Sequence, residues 1–288
     1  MRRTVSKTMA SVERALPTQY LTPIALLLTM SFACLFGLLL HLTALQDRLQ
    51  ESRDIELVEN VARSAARLAD HDLRDYAVWN EAVVHLVDRF EHDWAATNLG
   101  PYLVHSQGYD LMAVADQSGR PLYLETSSVT PRYDRFLDLG PAFARSLRQV
   151  HHRPHNDPLI AGYSRAGNVI YLFAVSKIQP LTAALAKPGA PSRAMIVARR
   201  IDPAYLQAIS EDPTHPNFRL ELTRNDQFTQ VPLRAPSGEI LAYLSWSPQR
   251  PGSLLRRQMF PAFLLISLIT VLRWRASLFG AAGSRWRR

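Results

Sequence analysis

A long apolar run lies near the N-terminus. Leu21 to Leu40 holds 20 residues without a charged side chain. A helix of that length spans about 30 Å, the thickness of a bilayer core. We therefore predict a retained transmembrane helix at residues 21–45. The alternative is a cleaved signal peptide, but its apolar core would be shorter. A lipoprotein signal ending at Cys34 is disfavoured, because Ser31 and Phe32 precede the cysteine and the apolar run continues past it.

A second apolar run lies near the C-terminus. Met259 to Leu272 gives 14 residues before Arg273, which is about 21 Å of helix and short for a bilayer. Flanking arginines lengthen such a segment when their side chains reach toward the interfaces. We predict a second transmembrane helix at residues 256–275. An interfacial helix or a hydrophobic tail is the alternative.

Between the two runs, the first regular pattern is a helical stripe. Apolar residues recur at three- and four-residue steps from Val58 to Tyr76, and charged residues occupy the other face. The first helix is therefore expected to continue out of the membrane. The stripe either meets its copy in a homodimer and transmits piston or rotation movements, or it packs on its own domain. Both can hold together.

Short apolar strands and turn signals follow the stripe. Two hairpins are predicted, one from residues 110–116 and 121–125, the other from 159–164 and 169–178. Further elements are a helix around 142–150, a strand at 193–201, and a closing antiparallel set at 218–223, 228–234 and 238–246. Asp202 is the predicted N-cap of a helix that has Pro203 in its first turn. The pattern predicts an α+β fold with one antiparallel sheet, as in PAS-like sensors.

The net charge of +8 is unevenly distributed. Residues 1–20 carry four basic residues against one acidic residue, and residues 273–288 carry five arginines and no acid. The positive-inside rule therefore predicts a cytoplasmic N-terminus at 1–20 and a short basic cytoplasmic tail at 276–288. Residues 46–255 then form an extracytoplasmic domain, periplasmic in a protein of the bacterial inner (plasma) membrane. Arginines just before the second run, Arg256 among them, fit this rule poorly.

Composition excludes several classes of protein. The basic clusters flank the apolar runs, so membrane lipid is the expected partner and nucleic acid is not. The single cysteine excludes an intramolecular disulfide framework and a cysteine-rich zinc site. The chain lacks a Gly-x-Ser-x-Gly elbow, a phosphate loop and a dinucleotide fingerprint. We therefore expect no enzyme activity and no cofactor; a membrane-anchored periplasmic hydrolase is the less favoured alternative.

The histidine-rich loop is a weak metal candidate. His151, His152 and His155 lie close together in sequence, with Asp157 nearby. Prolines interrupt the segment, so the helical spacing that brings two histidines onto one metal is missing. A solvated loop without a metal is the favoured interpretation.

Several short motifs together resemble a known sensory family. They are Asp75-Tyr76-Ala77-Val78-Trp79-Asn80, Trp94 with Asn98, Tyr109-Asp110-Leu111, Val114-Ala115-Asp116, Ser118-Gly119-Arg120 and Ile196-Val197-Ala198-Arg199-Arg200-Ile201-Asp202. This set resembles the fourth CHASE family of extracytoplasmic sensors over roughly residues 55–210. The resemblance implies a ligand-sensing, extracytoplasmic PAS/Cache-like domain. Together with the hydropathy and the helical stripe, the predicted fold is this domain with a long N-terminal helix, flanked by two transmembrane helices. Such receptors usually carry GGDEF, EAL or histidine-kinase output domains.

The sequence departs from the family pattern in two ways. Asn80 stands where the family commonly has Asp, which weakens any expectation of a cationic ligand at that position. The chain also ends soon after the second apolar run, and no GGDEF, EAL or kinase motif is present. Any cyclic-di-GMP or two-component output is therefore expected in a partner or in a missing downstream part.

The candidate ligand-binding residues are aromatic and polar side chains within these motifs. They are Tyr76, Trp79, Asn80, Trp94, Asn98, Tyr109 and Asp110. Aromatic rings shape a small-molecule pocket, and amide and carboxylate groups supply a few directed hydrogen bonds. The alternative is that the tryptophans pack in the core and that Asn98 caps a turn.

The sequence thus favours a membrane-anchored sensor that binds an unknown small ligand or partner and relays the signal across the inner membrane. A homodimer is expected, because the two ends of the chain share one membrane and the stripe from Val58 to Tyr76 can meet its copy. The alternative is a truncated receptor or a non-catalytic partner of another membrane receptor.

Overall fold

The computed structural model describes residues 18–127, 139–183, 186–187, 189–210, 217–247 and 251–283. The chain divides into two compact units. Residues 51–248 form the larger unit, and residues 1–50 with 249–288 form the smaller one. The first helix contributes residues to both.

The smaller unit is built from two apolar helices. Helix α1 runs from Thr18 to Ala77, and helix α6 runs from Pro251 to Gly283, beyond both ends of the predicted 256–275. Both are long enough and apolar enough to cross a membrane, by length and composition. Aromatic rings pack between them: the Phe263 ring centroid lies 4.2 Å from that of Phe32 and 4.0 Å from that of Phe36.

Polar contacts join the same two helices at one end of the apolar runs. The Asp47 carboxylate accepts a hydrogen bond from the Gly252 backbone N–H at 2.7 Å and pairs with the Arg256 guanidinium at 3.2 Å. The Gly252 backbone also lies so close to α1 that a Cβ there would clash with the Thr43 carbonyl oxygen. Arg256 thus has an acidic partner on α1.

The larger unit begins with a helical layer. The end of α1 is followed by α2 (Asn80–Val83), a π-helical turn (Val84–Asp88), α3 (His92–Asn98) and a second π-helical turn (Tyr102–Ser106). Between α1 and α2 the chain is extended, and Val78 forms an isolated parallel bridge with Gln179.

A five-stranded antiparallel sheet follows. Its strands are β1 (Leu111–Asp116), β2 (Pro121–Thr126), β3 (Leu159–Ala166), β4 (Val169–Lys177) and β5 (Arg193–Arg200), in the spatial order β2-β1-β5-β4-β3. Helix α4 (Pro141–Val150) lies between β2 and β3 in the chain, and α5 (Pro203–Ser210) follows β5. The two predicted hairpins are confirmed as β1–β2 and β3–β4.

The prediction of one sheet is wrong. The last three strands, β6 (Arg219–Glu221), β7 (Thr229–Arg234) and β8 (Ile240–Trp246), form a separate antiparallel sheet in the order β6-β8-β7. Turn residues in the sequence show which consecutive strands form a hairpin. They do not show which strand, distant in sequence, pairs with the edge of a sheet. Here β8 pairs with β6 on one side and with β7 on the other, so these three strands form a sheet without a partner strand from the first sheet.

The five-stranded sheet buries both faces because successive side chains alternate between them. Met112 and Val114 pack in the core that contains Leu73 of α1. Ala113 lies in the opposite core, which includes Phe143 of α4. The sheet is therefore a central layer between the helical layer and α4.

The apolar stripe of α1 packs on its own domain. Val58, Ala69 and Leu73 are buried in the same core as the sheet. The interpretation in which the stripe packs on its own domain is therefore confirmed for these three side chains. Leu68, included in the predicted stripe, is instead 60% exposed. A homodimer in which the stripe meets its copy stays a prediction.

Candidate functional site

Two of the candidate aromatic residues lie in the helical layer and face each other. Trp79 has an extended backbone because it follows the bridge at Val78, and its ring centroid is 5.5 Å from that of Trp94 on α3. The imidazole of His85 stacks on Trp94 at 5.0 Å, with 11° between the ring planes. With the Trp79 ring tilted by 41° against Trp94, the three rings form one half-buried cluster.

Two carboxylates flank His85. Its Nδ1 lies 2.9 Å from a Glu91 carboxylate oxygen, and its Nε2 lies 3.4 Å from the Glu81 carboxylate. The hydrogen bond from Arg89, followed by the one from His85, lowers the pKa of Glu91. Glu91 is therefore ionised at neutral pH and helps to orient the imidazole.

Tyr76 forms a second aromatic contact at the end of α1. Its ring centroid lies 5.7 Å from that of Tyr102 in the second π-helical turn. Burial raises the pKa of Tyr76 to about 12, with the neighbouring Tyr102 as the next cause. The Tyr76 hydroxyl thus acts as a neutral donor or acceptor at physiological pH.

Tyr109 ties the sheet to α1. The Tyr109 hydroxyl donates to the Asp72 carboxylate at 2.8 Å, and the Arg199 guanidinium lies 5.3 Å above the Tyr109 ring centroid. Burial, and then the hydrogen bond to Asp72, raises the pKa of Tyr109. The side chain is 5% exposed, so it serves as a packed crosslink within the fold.

The polar candidates also have partners within the fold. The Asp110 carboxylate accepts from the Arg200 backbone N–H at 2.6 Å and from the Ser127 hydroxyl at 3.3 Å. The Asn80 side-chain oxygen accepts from the Leu181 backbone N–H at 3.1 Å. The Asn98 amide donates to the Trp94 carbonyl oxygen at 2.9 Å, within α3. Each of these contacts fixes local backbone.

Two cavities lie elsewhere in the larger unit. One, of about 780 Å³, is near the start of α5 and is lined by residues that include Asn168, Arg200, Asp202 and Arg219. The other, of about 420 Å³, lies between α1, β3 and β7. None of the seven candidate residues lines either cavity.

The second cavity was missed by reasoning from the sequence. Its walls come from Ala62 and Ala66, one helical turn apart on α1, and from Ala161 and Gly162 on β3. Small residues that recur on one face of a helix and on a strand can indicate a cavity between the two elements. However, nothing in the sequence showed that α1 and β3 lie side by side.

The histidine loop does not gather metal ligands. His151 is buried, and its Nδ1 lies 2.7 Å from the Ser192 hydroxyl. Burial lowers the pKa of His151. In the described part of the chain, no three His, Cys, Asp or Glu side chains are grouped so as to hold a metal ion.

In a comparison with protein-family models, residues 64–221 match the CHASE4 domain. The chain belongs to the CHASE4 family. The resemblance found in the motifs is thus confirmed, as is the coarse expectation of a sensory domain rather than a catalytic one. No curated protein matches the chain.

The CHASE4 motif at the first hairpin has a structural role. The Asp116 carboxylate accepts from the backbone N–H groups of Ser118 and Arg120, both at 2.9 Å, and from the Ser118 hydroxyl at 2.6 Å. Burial opposes ionisation, but these hydrogen bonds outweigh it and lower the pKa of Asp116. Gly119 has φ +83°, which suits glycine. The motif therefore builds the turn between β1 and β2.

The late CHASE4 motif forms the middle of the sheet. Residues 196–200 belong to β5, which pairs with both β1 and β4. Its last residues lead into α5, where the Asp202 carboxylate accepts from the Tyr205 backbone N–H at 2.9 Å. The predicted N-cap is confirmed.

Proposed function

We propose that this CHASE4 protein is a membrane-anchored sensor. Helices α1 and α6 cross the bacterial inner membrane, the CHASE4 domain lies in the periplasm, and binding of a small ligand is relayed through α1. The fold of the larger unit is of the PAS/Cache type, which its central five-stranded antiparallel sheet supports. Output through a cyclic-di-GMP or two-component partner follows from the resemblance to receptors of this kind.

The observation that carries the proposal is the continuity of α1. A single helix, Thr18–Ala77, supplies both the apolar segment and a core element of the CHASE4 domain. Leu27, Leu28 and Leu35 on the apolar segment are each more than 60% exposed, whereas Leu73 is fully buried in the domain. So many exposed leucine side chains are favourable in lipid, whereas their exposure to water raises the free energy of the protein.

The seven candidate residues stay a prediction as ligand contacts. Trp79 and Trp94 are half-buried and partly accessible, so a ring-shaped ligand has access to their edges. The polar candidates already bond within the fold, and a ligand would have to share or replace those bonds at a cost.

A thermal-shift screen of the full chain in lipid nanodiscs tests the proposal. A ligand that binds only the folded state raises the melting temperature by an amount that grows with the ratio of its concentration to its Kd. We expect at least one small metabolite to do so. If no compound of a broad panel stabilises the protein, direct small-ligand sensing is contradicted.

A further inference from the structure

The groove of about 420 Å³ beside α1 has the size of a small-molecule site. Its lining comes from three elements of the larger unit: Glu59, Ala62, Arg63 and Ala66 on α1, Ala161 to Tyr163 on β3, and Val231 to Pro236 at the end of β7. Strands β3 and β7 are edge strands of their sheets, so the groove forms where two sheet edges approach one helix.

Small side chains give the groove its depth. Ala62 and Ala66 share one face of α1, and Ala161 and Gly162 lie on the strand beside them. The β7 wall closes in at Gly162, where a Cβ would lie 2.9 Å from the Pro236 ring. The inner walls therefore carry small side chains, which leave room for a flat ring or a branched alkyl group.

Tyr163 links the floor of the groove to the helix. Its hydroxyl donates to the Ala62 carbonyl oxygen at 2.8 Å, and the side chain is buried. Burial raises the pKa of Tyr163, so the hydroxyl stays neutral. An occupant of the groove would touch α1 directly and would also press on the residue that joins α1 to β3.

The rim of the groove is charged and positive on balance. Arg63 and Glu59 pair at 3.8 Å with both side chains about half exposed or more. The Arg234 guanidinium donates to the Gly238 carbonyl oxygen at 3.1 Å, and no carboxylate of the described residues pairs with it. A guanidinium has five N–H donors in a planar fork that matches a carboxylate. Arg234 thus has donors to offer, and the exposed Arg63–Glu59 pair is weak enough to rearrange.

We propose that this groove binds a small monocarboxylate with an apolar body, its ring or branched chain against the alanines and its carboxylate on Arg234 and Arg63. The proposal rests on the sensor function above and adds to it a site and a ligand class. Binding there couples to α1 only if the ligand has different affinities for two arrangements of the helix and β7.

The test measures the melting temperature of the full chain in nanodiscs with phenylacetate, its neutral analogue phenylacetamide and the cation phenethylamine. We expect phenylacetate alone to stabilise the wild type. Arg234→Gln removes a charge-assisted hydrogen bond, so its Kd for phenylacetate should rise about 10-fold or more. Ala66→Leu fills the groove and should abolish the shift.

Two matched control variants distinguish a loss of binding in the groove from a general effect of removing an arginine or adding a leucine. Arg67→Gln lies on α1 outside the groove lining, where Arg67 bonds to Ser64, and Ala208→Leu adds the same bulk at an exposed position of α5. Both should retain the phenylacetate shift. If Ala66→Leu does not fold, Arg234→Gln still decides the result.

Three outcomes would overturn the proposal. They are no phenylacetate shift in the wild type, an equal shift with the amide, and a shift that survives both groove variants. If another compound of the metabolite panel stabilises the protein while phenylacetate does not, the groove assignment fails and the sensor function stands. If that stabilisation is lost in Trp79→Ala instead, the ligand lies at the aromatic residues of the helical layer.

Discussion

Asp110 and Tyr109 illustrate how far single residues can be interpreted from the sequence. Both stand at the start of a predicted strand, and the residue types suggest binding chemistry. The structure gives each a partner far away in the chain: Arg200 for Asp110, and Asp72 for Tyr109. A sequence shows that a side chain can form hydrogen bonds, but it does not show whether the fold or a ligand supplies the partner.

Replacing Tyr109 by Phe removes the hydroxyl that donates to Asp72 and keeps the ring under Arg199. We expect a loss of about 1–2 kcal/mol of folding free energy, or a few degrees in melting temperature, because the bond is buried and its acceptor is charged. Tyr102→Phe is the comparison, since its hydroxyl bonds to the neutral partners Gln107 and Tyr76 at a site that is 43% exposed. Equal effects of the two variants would contradict the crosslinking role of Tyr109.

Asp202 makes a pH-dependent contribution to stability. Burial opposes its ionisation, but the hydrogen bonds from the Tyr205 N–H and from Arg200 outweigh burial and lower the pKa of Asp202. A carboxyl group whose folded pKa is lowered stabilises the fold above its unfolded pKa of about 3.8, and this stabilisation is lost as the pH falls through the folded pKa.

We therefore expect Asp202→Asn, which retains a good N-cap, to melt below the wild type at neutral pH. This difference in melting temperature should begin to shrink as the pH falls below about 4, near the unfolded pKa, and should vanish only below the lower folded pKa of Asp202. Melting temperatures of both proteins from neutral to acidic pH give the comparison. A gap that stays constant across this range would show that the charge of Asp202 does not contribute.

At the scale of elements, patterns within a few residues predicted the helices and hairpins, but no pattern in the sequence predicted the contacts between distant elements. The two hairpins of the first sheet, α4 and α5 were predicted from turn residues, caps and apolar runs. The separation of β6–β8 into a second sheet was not, because sheet membership depends on which edges meet after the chain has collapsed. The groove at the β3 and β7 edges was missed for the same reason.

Helix α1 offers a direct test of which face it buries. Leu73→Ala leaves a cavity in the main core and should cost about 2–5 kcal/mol. Leu68→Ala makes the same change on the same helix at a position that is 60% exposed, and it should cost less than about 0.5 kcal/mol. Thermal unfolding of both variants is the measurement. A larger effect at Leu68 would imply that this face is covered in solution, as in a homodimer.

At the scale of the whole molecule, the chain combines a domain of a sensory family with two long apolar helices. Residues 64–221 match a sensory family, and the helices at either end of that match are long and apolar enough to cross a membrane. Hydropathy predicted both helices from the sequence, because a run of apolar residues long enough for a bilayer is visible in composition alone. The orientation indicated by the flanking charge stays a prediction. The ion pair between Asp47 and Arg256 could not be predicted in this way, because the two residues are far apart in sequence and meet only in the folded structure.

The central claim is that α1 and α6 anchor a CHASE4 domain outside the cytoplasm. The most direct measurement is labelling by a membrane-impermeant maleimide in a Cys34→Ser background, with Ser118→Cys on the exposed turn between β1 and β2 and Ser6→Cys near the N-terminus as its counterpart. In intact bacterial spheroplasts, we predict labelling of Ser118→Cys and labelling of Ser6→Cys only after lysis. Labelling of Ser118→Cys only after lysis would contradict the account.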